Sequence, residues 1–212
     1  MTKRQISLGF SQEPVPEGTH ICYIYNDDEE RAKIMSKFLN QGLEEEEKIL
    51  YFVDTVSTDE FEETMDDLGL DIRSNKKDFA LSEAGPTYCP DGAFCGHKMI
   101  DFLGGFYDDA MEEGYAGVRG SGEMTWSLRD GLTDTEELLK YEAELNNALK
   151  THPITAFCQY DSREFDGNTI MDVLSVHPAT VIRGQIVKNP YYMEPEEFLK
   201  EYHARNRKTA NG

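Results

Sequence analysis

The chain has 212 residues, with 41 acidic and 21 basic side chains and a formal net charge of −20, which is long enough for one domain with a sizeable core. A surface with this much negative charge repels phosphate backbones and anionic lipids. We therefore expect no direct binding to nucleic acid and none to membranes. No apolar run approaches the ~20 residues of a membrane span and no signal-peptide pattern is present, so we expect a cytoplasmic protein.

Strands and helices alternate from residue 19 onward, after a polar arm over residues 1–18. Apolar runs and alternation predict strands at His20–Tyr25, Lys48–Asp54, Phe79–Ser82, Ala116–Arg119 leading into GSGEMTW, Ile154–Tyr160 and Thr180–Val187. Apolar residues at helical spacing predict helices over Asp27–Leu43, Asp59–Leu68, His97–Glu113, Asp134–Thr151, part of Phe165–Val176, and Glu196–Arg205. Glycine and proline predict a loop over residues 83–96, and residues 206–212 are expected to form a flexible tail.

This order predicts one domain over residues 19–205, with an α/β fold in which helices flank a mainly parallel sheet in three layers. In open sheets of this kind, ligands bind beyond the carboxyl ends of the strands. The predicted strands place the following residues at that edge, with residues 183–185 as a further candidate segment: Tyr25, Asn26, Asp54, Thr55, Glu123, Trp126, Gln159, Tyr160 and Asp161.

The junction after the first strand is acidic, reading YNDDEE over residues 25–30. Phosphate-binding α/β proteins carry a glycine-rich loop with a lysine at this place, and neither GxxxxGK[ST] nor GxGxxG occurs in the chain. The nearest glycine cluster, residues 117–122, contains no lysine. We therefore do not expect ATP hydrolysis, and a degenerate nucleotide site is kept as an alternative.

No group of residues forms a recognisable catalytic pattern. The GxSxG motif is absent, and Cys158 lies in a predicted strand, which favours burial over reactivity. Glu123 and Asp161 are only two acids among 41, which is weak support for an acid/base pair. No catalytic residue is assigned, and we expect a protein that is not an enzyme.

Cysteine and histidine residues suggest a second type of site. Cys89, Cys95 and His97 fall within or beside one polar loop and form a candidate site for zinc or another soft metal. His20 and Cys22 lie on one face of the first strand and would add two donors. The alternative is that free cysteines serve as small buried apolar residues. A metal- or thiol-based redox sensor is therefore an alternative function.

Several stretches, taken in order, resemble the MEDS domain, the DcmR-like sensory domain of methanogens and methylotrophs: GTHICYIYNDDEE, FLNQGLEEEEKILYFVD, GEMTW, YEAELN, HPITAFCQYDSREFD and VLSVHPATVIRGQIVKNPYYMEPEEFL. The resemblance runs from Gly18 to Leu199. It implies a RecA/KaiC-like fold that has lost its phosphate loop. It also implies a sensor of small hydrocarbon-like or methylated compounds, acting in signal transduction or transcription regulation.

The resemblance also implies which positions form the site: His20, Cys22, Glu123, Trp126, Cys158, Gln159, Tyr160, Asp161, His177, Asn189, Pro190 and Tyr191. We expect a small, largely apolar ligand to lie between four aromatic rings, those of Tyr25, Trp126, Tyr160 and Tyr191. The polar groups expected to orient it are His20, Glu123, Gln159 and Asp161. The loop donors Cys89, Cys95 and His97 lie outside the family pattern, so a metal there would be particular to this chain.

Signalling is expected to pass to a separate output protein. Regulators that resemble this domain often carry a DNA-binding or kinase-like region, and this sequence shows neither. A kinase or a transcription regulator acting in trans is therefore the expected partner. RecA-like proteins often assemble, so a homo-oligomer is an open alternative.

Overall fold

The structure is a computed structural model that describes the backbone of residues 3–209 and the side chains of residues 3–204. Its strands are β1 (Gln5–Ile6), β2 (Val15–Pro16), β3 (His20–Tyr25), β4 (Lys48–Val53), β5 (Phe79–Glu83), β6 (Val118–Glu123), β7 (Ile154–Asp161), β8 (Ala179–Ile182) and β9 (Gln185–Lys188). Its α-helices are α1 (Asp28–Glu44), α2 (Thr58–Asp67), α3 (Ala84–Tyr88), α4 (Gly96–Glu112), α5 (Thr135–Ala148), α6 (Gly167–Val176) and α7 (Pro195–Thr209). None of these helices is both long enough and apolar enough to cross a bilayer.

Seven strands form one sheet in the order β5-β4-β6-β7-β3-β8-β9. All neighbouring pairs are parallel except β8 and β9, which confirms the predicted mainly parallel sheet. The central strand β7 has all eight residues buried, as expected for a strand covered on both faces. Its neighbours β6 and β3 bring residues from distant parts of the sequence side by side.

Helices cover both faces of the sheet and complete the three layers. Helices α1 and α2, with the β1–β2 hairpin, pack on one face around residues such as Ile21 and Phe38; we name this the α1 face. Helices α3 to α7 pack on the opposite face around residues such as Cys22 and Trp126; we name this the α5 face. Consecutive strand residues such as Ile21 and Cys22 belong to opposite faces because strand side chains alternate.

The starts of helices follow their local sequence. Asp27 caps α1 by accepting a hydrogen bond from the Glu30 amide at 2.7 Å. Ser57 caps α2 in a reciprocal capping box with Glu60. Both caps fix the entry of a helix that lies beside the carboxyl ends of the strands.

Three predicted elements are wrong in detail. The segment 83–96 is not all loop, because residues Ala84–Tyr88 form helix α3. The predicted strand Thr180–Val187 is the hairpin β8–β9, since Arg183 and Gly184 have φ angles of 51° and 69° and turn the chain back. Helix α7 continues to Thr209, into the predicted tail, and residues 210–212 lie outside the described part.

Candidate functional site

A cleft of about 660 Å³ lies at the carboxyl ends of the central strands, on the α1 face. Its lining includes apolar residues, namely Met35, Val56, Phe61, Met65 and Leu128. The charged residues of the lining are Asp28, Arg31, Asp54, Arg129, Asp161, Arg163 and Glu164. The cleft therefore occupies the edge where ligands bind in folds of this type, and it offers both apolar and polar contacts.

The carboxylate of Glu123 bonds to residues that line the cleft. It is fully buried at the end of β6 and accepts hydrogen bonds from the Asp54 and Thr55 amides at 3.0 and 2.8 Å. The hydroxyl groups of Thr55 and Tyr51 donate to it at 2.8 and 3.1 Å. Four neutral donors satisfy a buried charge, so Glu123 holds the end of β4 against the end of β6.

Arg31 places a cation between Glu123 and the cleft. Its Nη1 lies 2.7 Å from Glu123 Oε1, and its Nη2 donates to Thr55 Oγ1 at 3.1 Å. Its Nε is buried and has no hydrogen-bond partner among the described residues. Arg31 lines the cleft, and its guanidinium has a buried donor that no described residue uses.

Five other charged residues of the cleft form ion pairs with one another. Arg129 Nη2 lies 2.6 Å from Asp54 Oδ1. Arg163 contacts Asp161 at 2.6 Å and Asp28 at 2.8 Å. Among the described residues, the Arg31 Nε has neither a hydrogen bond nor an ion pair of this kind.

The start of α1 is unsuited to a phosphate group. A helix N-terminus favours anions, but here the Asp27 carboxylate already accepts from the first-turn amide of Glu30. Asp28 and Glu29 add two more acidic groups in the first turn. This arrangement repels the polyphosphate that the same junction binds in phosphate-loop proteins.

A second group of polar residues is buried on the α5 face of the sheet. His20 from β3, Glu142 from α5, Cys158 from β7 and His177 after α6 are all buried, and one donor atom from each lies within 4.8 Å of the others. We name these residues the His-Glu-Cys-His centre. His20 Nε2 lies 3.2 Å from Glu142 Oε2 and 3.3 Å from Cys158 Sγ.

The pKa values of the centre are shifted by burial and by its own charges. Burial alone would raise the pKa of Glu142, but the contact with His20 and the proximity of His177 outweigh it and lower the pKa to about 2. Burial, together with the charge of His20, lowers the pKa of His177 to about 3. Burial and the Glu142 charge raise the pKa of the Cys158 thiol. Without a bound cation, the centre therefore holds an ionised Glu142, a neutral His177 and a protonated Cys158.

The predicted site residues divide between the two places. Asp161 lines the cleft, and Glu123 bonds to Tyr51, Thr55 and Arg31, which line it. Tyr160 joins the centre by donating its hydroxyl hydrogen to Glu142, and Asn189 donates to the His177 carbonyl at 2.9 Å. Two predicted residues lie beside these places. Gln159 donates to Tyr51, and Cys22 pairs with Cys158 across the strands, outside the four-donor group.

The four aromatic rings predicted to surround a ligand do not come together. Tyr25 is buried on the α1 face, whereas Trp126 and Tyr160 are buried on the α5 face. Trp126 stacks on Tyr88 at 4.5 Å, and Tyr191 is 65% exposed. The prediction fails because side chains near the ends of neighbouring strands point to either face, which the edge alone does not specify.

The predicted loop metal trio is spread over different environments. Cys89 is buried at the end of α3, Cys95 is half-buried before α4, and the His97 side chain is 73% exposed. His97 Nδ1 lies 4.0 Å from Glu144. Within residues 3–204, these three do not form a group of metal-ligand spacing, whereas the His-Glu-Cys-His centre does.

Sequence reasoning missed Arg31 and Glu142. Glu142 lies in the stretch YEAELN and is buried between Tyr141 and Ala143, which are buried too. An acid inside a buried helical stripe is a signal for a paired carboxylate, since unpaired charges are costly to bury. Arg31 has no comparable signal, because it follows a run of acids at a helix start.

Comparison with solved structures defines the class of the fold. The chain is similar to a KaiC-like protein from the hyperthermophilic archaeon Pyrococcus horikoshii, with a TM-score of 0.60, 15% identity, and coverage of 84% of this chain and 79% of that one. The fold is therefore RecA/KaiC-like, as the resemblance implies.

Comparison of sequences defines the family. The model of MEDS, the MEthanogen/methylotroph, DcmR Sensory domain, matches residues 19–178, and the chain belongs to this family. The chain is also 28% identical over 162 residues to the transcriptional repressor DcmR of Methylorubrum extorquens, covering 76% of this chain and 58% of that repressor. It thus spans somewhat more than half the length of that relative. A sensory, regulatory role follows from the family.

Proposed function

We propose that this domain senses a small molecule bound in the cleft and signals its presence to a separate regulatory protein, a kinase or a transcription regulator. The observation that carries the proposal is that Arg31 lines the same cleft as Met35, Phe61 and Met65 and has a buried Nε without a hydrogen-bond partner among the described residues. A buried donor without a partner favours a ligand that supplies an acceptor.

The lining of the cleft supports a specific class of ligand. Methionine and phenylalanine side chains suit methyl groups and other small apolar groups, since methionine adapts to irregular shapes. Arg31 would bind one polar or anionic group of the same molecule. Small methylated or hydrocarbon-like compounds with one hydrogen-bond acceptor satisfy both requirements.

The contacts of Glu123 suggest how binding is transmitted. A ligand that contacts Arg31 changes the strength of the ion pair between Arg31 and Glu123, either by competing for the guanidinium or by holding it in place. Glu123 in turn holds the backbone of Asp54 and Thr55, and Asp54 holds Arg129 at the surface. We infer that the segment after β6, residues 124–132, changes position with the state of the cleft and forms the surface that the output protein contacts.

Filling the cleft is expected to abolish ligand binding without unfolding the protein. Val56 lines the cleft and is 40% exposed, so tryptophan is tolerated there but occupies the ligand volume. A panel of methylated one-carbon compounds is screened by thermal shift. At 100 times its Kd, a ligand stabilises the unsubstituted protein by ~2.7 kcal/mol, or about 5–10 °C in Tm. Val56→Trp should show no such shift.

The matched control is Leu68→Trp, because Leu68 is 37% exposed and lies outside the cleft. It should keep the full ligand shift. Mg²⁺·ATP serves as the alternative ligand, and it should leave Tm unchanged because the start of α1 is acidic. A response to ATP that Val56→Trp abolishes would replace the proposal with a nucleotide sensor, and equal responses in both tryptophan variants would place the ligand elsewhere.

A further inference from the structure

We propose that the His-Glu-Cys-His centre binds one zinc-type divalent metal ion through His20 Nε2, Glu142 Oε2, Cys158 Sγ and His177 Nε2. The donor set of two imidazoles, one thiolate and one carboxylate is one that zinc accepts in proteins. This site uses no residue of the cleft, so the proposals of a metal and of a ligand in the cleft are tested independently of each other.

The spacing of the donor atoms fits a tetrahedral ion. Zinc bonds of about 2.0–2.3 Å place neighbouring ligand atoms about 3.3–3.8 Å apart in a tetrahedron. Glu142 Oε2 lies 3.2 Å from His20 Nε2, 3.5 Å from Cys158 Sγ and 3.6 Å from His177 Nε2. His20 Nε2 lies 3.3 Å from Cys158 Sγ. These four distances are close to that range, and all four atoms lie within 4.8 Å of one another.

The hydrogen bonds outside the centre turn both imidazoles toward it. Asn146 Nδ2 donates to the carbonyl oxygens of Glu142, Ala143 and Val176, so Asn146 Oδ1 is the acceptor that faces His20 Nδ1 at 3.2 Å. The Nδ1 of His20 must therefore carry the hydrogen. His20 is held in the manner typical of metal-ligating histidines, with Nδ1–H bonded outward and Nε2 inward.

The same arrangement holds His177. Its Nδ1 donates to the Val173 carbonyl at 2.7 Å, which leaves Nε2 as a lone-pair donor. That Nε2 is fully buried, faces the Glu142 carboxylate at 3.6 Å and has no hydrogen-bond partner among the described residues. A lone pair facing a carboxylate is repulsive unless a cation lies between them, and a metal ion supplies that cation.

The centre is closed, which indicates the role of the metal. Four protein ligands complete a tetrahedron and leave no position for water or substrate, as in structural zinc sites. The ligands come from β3, α5, β7 and the end of α6, so one ion would join the sheet to the layer that covers it. The metal therefore stabilises the α5 face and takes no part in a reaction.

The test uses the full chain expressed in minimal medium with zinc or cobalt and purified without chelator, because a buried site loads during folding. Elemental analysis should find about one zinc per chain. The cobalt-loaded protein should show a thiolate-to-cobalt charge-transfer band and strong visible bands of a tetrahedral ion. This readout needs no substitution, so an unstable variant cannot obscure it. A metal-free protein without these bands would overturn the proposal.

Matched variants locate the ion. Cys158→Ser and His177→Gln should retain less than about a tenth of the metal, since loss of a ligand weakens binding more than the ~10–100-fold typical of outer-sphere changes. Cys95→Ser and His97→Gln, at the loop trio, should retain all of it. If Cys95→Ser and His97→Gln lost the metal while Cys158→Ser and His177→Gln kept it, the metal would be bound at the loop trio instead. If the protein contained a different transition metal and Cys158→Ser lost it, the site would be confirmed and the assignment of zinc would be wrong.

Discussion

Replacing Arg119 with methionine is expected to lower the free energy of unfolding by about 3–5 kcal/mol. It removes one of the two arginines that pair with the buried Glu47 carboxylate, the other being Arg4, and it removes the donor to two backbone carbonyls. The Arg119 side chain is fully buried in β6, and its Nε bonds to the buried carboxylate of Glu47. Its Nη1 donates to the Phe38 carbonyl at 3.0 Å and its Nη2 to the Ser7 carbonyl at 2.8 Å. The guanidinium thus ties α1 and the N-terminal arm to the sheet, and urea titration followed by circular dichroism measures the loss.

Two controls test the cause of that loss. Arg73 forms an exposed ion pair with Glu62 at 2.8 Å, and Arg73→Met should cost less than about 1 kcal/mol. The double variant Arg119→Met/Glu47→Leu removes both buried charges and should be more stable than Arg119→Met alone. A double variant as unstable as the sum of its two single variants would show that packing, and not an unpaired charge, causes the effect.

Replacing Glu123 with glutamine is expected to cost about 2–4 kcal/mol and to abolish the ligand response of the cleft. The amide matches the carboxylate in shape, but its NH₂ group would face donors from Thr55 and Asp54 or from Tyr51 and Arg31. A buried donor left unsatisfied costs ~1–3 kcal/mol, and the Arg31 cation would lose its partner as well. Unfolding by urea and the thermal-shift response measure the two effects.

The control for this substitution is Glu113→Gln. Glu113 pairs with Lys48 at 2.8 Å with its side chain 53% exposed, so glutamine there should change stability by less than about 1 kcal/mol. It should leave the ligand response intact. A Glu123→Gln variant with unchanged stability and full ligand response would contradict the role assigned to Glu123 in organising the cleft.

The layered fold could be predicted because its elements carry strong local signals. The apolar run KILYFV and the buried strand ITAFCQYD alternate with helical stripes, and that order leads to a parallel sheet. The hairpin β8–β9 was not predicted, because the apolar pattern continues through residues 179–188 and the turn depends on one Arg-Gly pair. A positive φ at Arg183 cannot be inferred from that pattern.

The two sites were predictable only in part, for reasons of topology. Glu123 and Asp161 lie at the carboxyl ends of β6 and β7, and the binding of a ligand at that edge stays a prediction. The His-Glu-Cys-His centre depends on β3 lying beside β7 and on α5 crossing both, so His20 and Cys158 meet across 138 positions of sequence. Local spacing pointed instead to the loop trio, because its donors are close in sequence although they are not grouped in space.

The most direct test of the account is the position of the ligand. The chain has 8 methionines, of which Met35 and Met65 line the cleft, while Met99 is buried on the α5 face and Met171 is 55% exposed on α6. The methionine methyl groups are labelled with carbon-13, and their NMR signals are assigned with Met→Leu variants. The signals are then followed while a methylated compound from the thermal-shift panel is added. If the ligand binds in the cleft, the Met35 and Met65 signals should move and saturate together while those of Met99 and Met171 stay in place. Saturating shifts at Met99 with none at Met35 and Met65 would place the ligand on the opposite face and contradict the account.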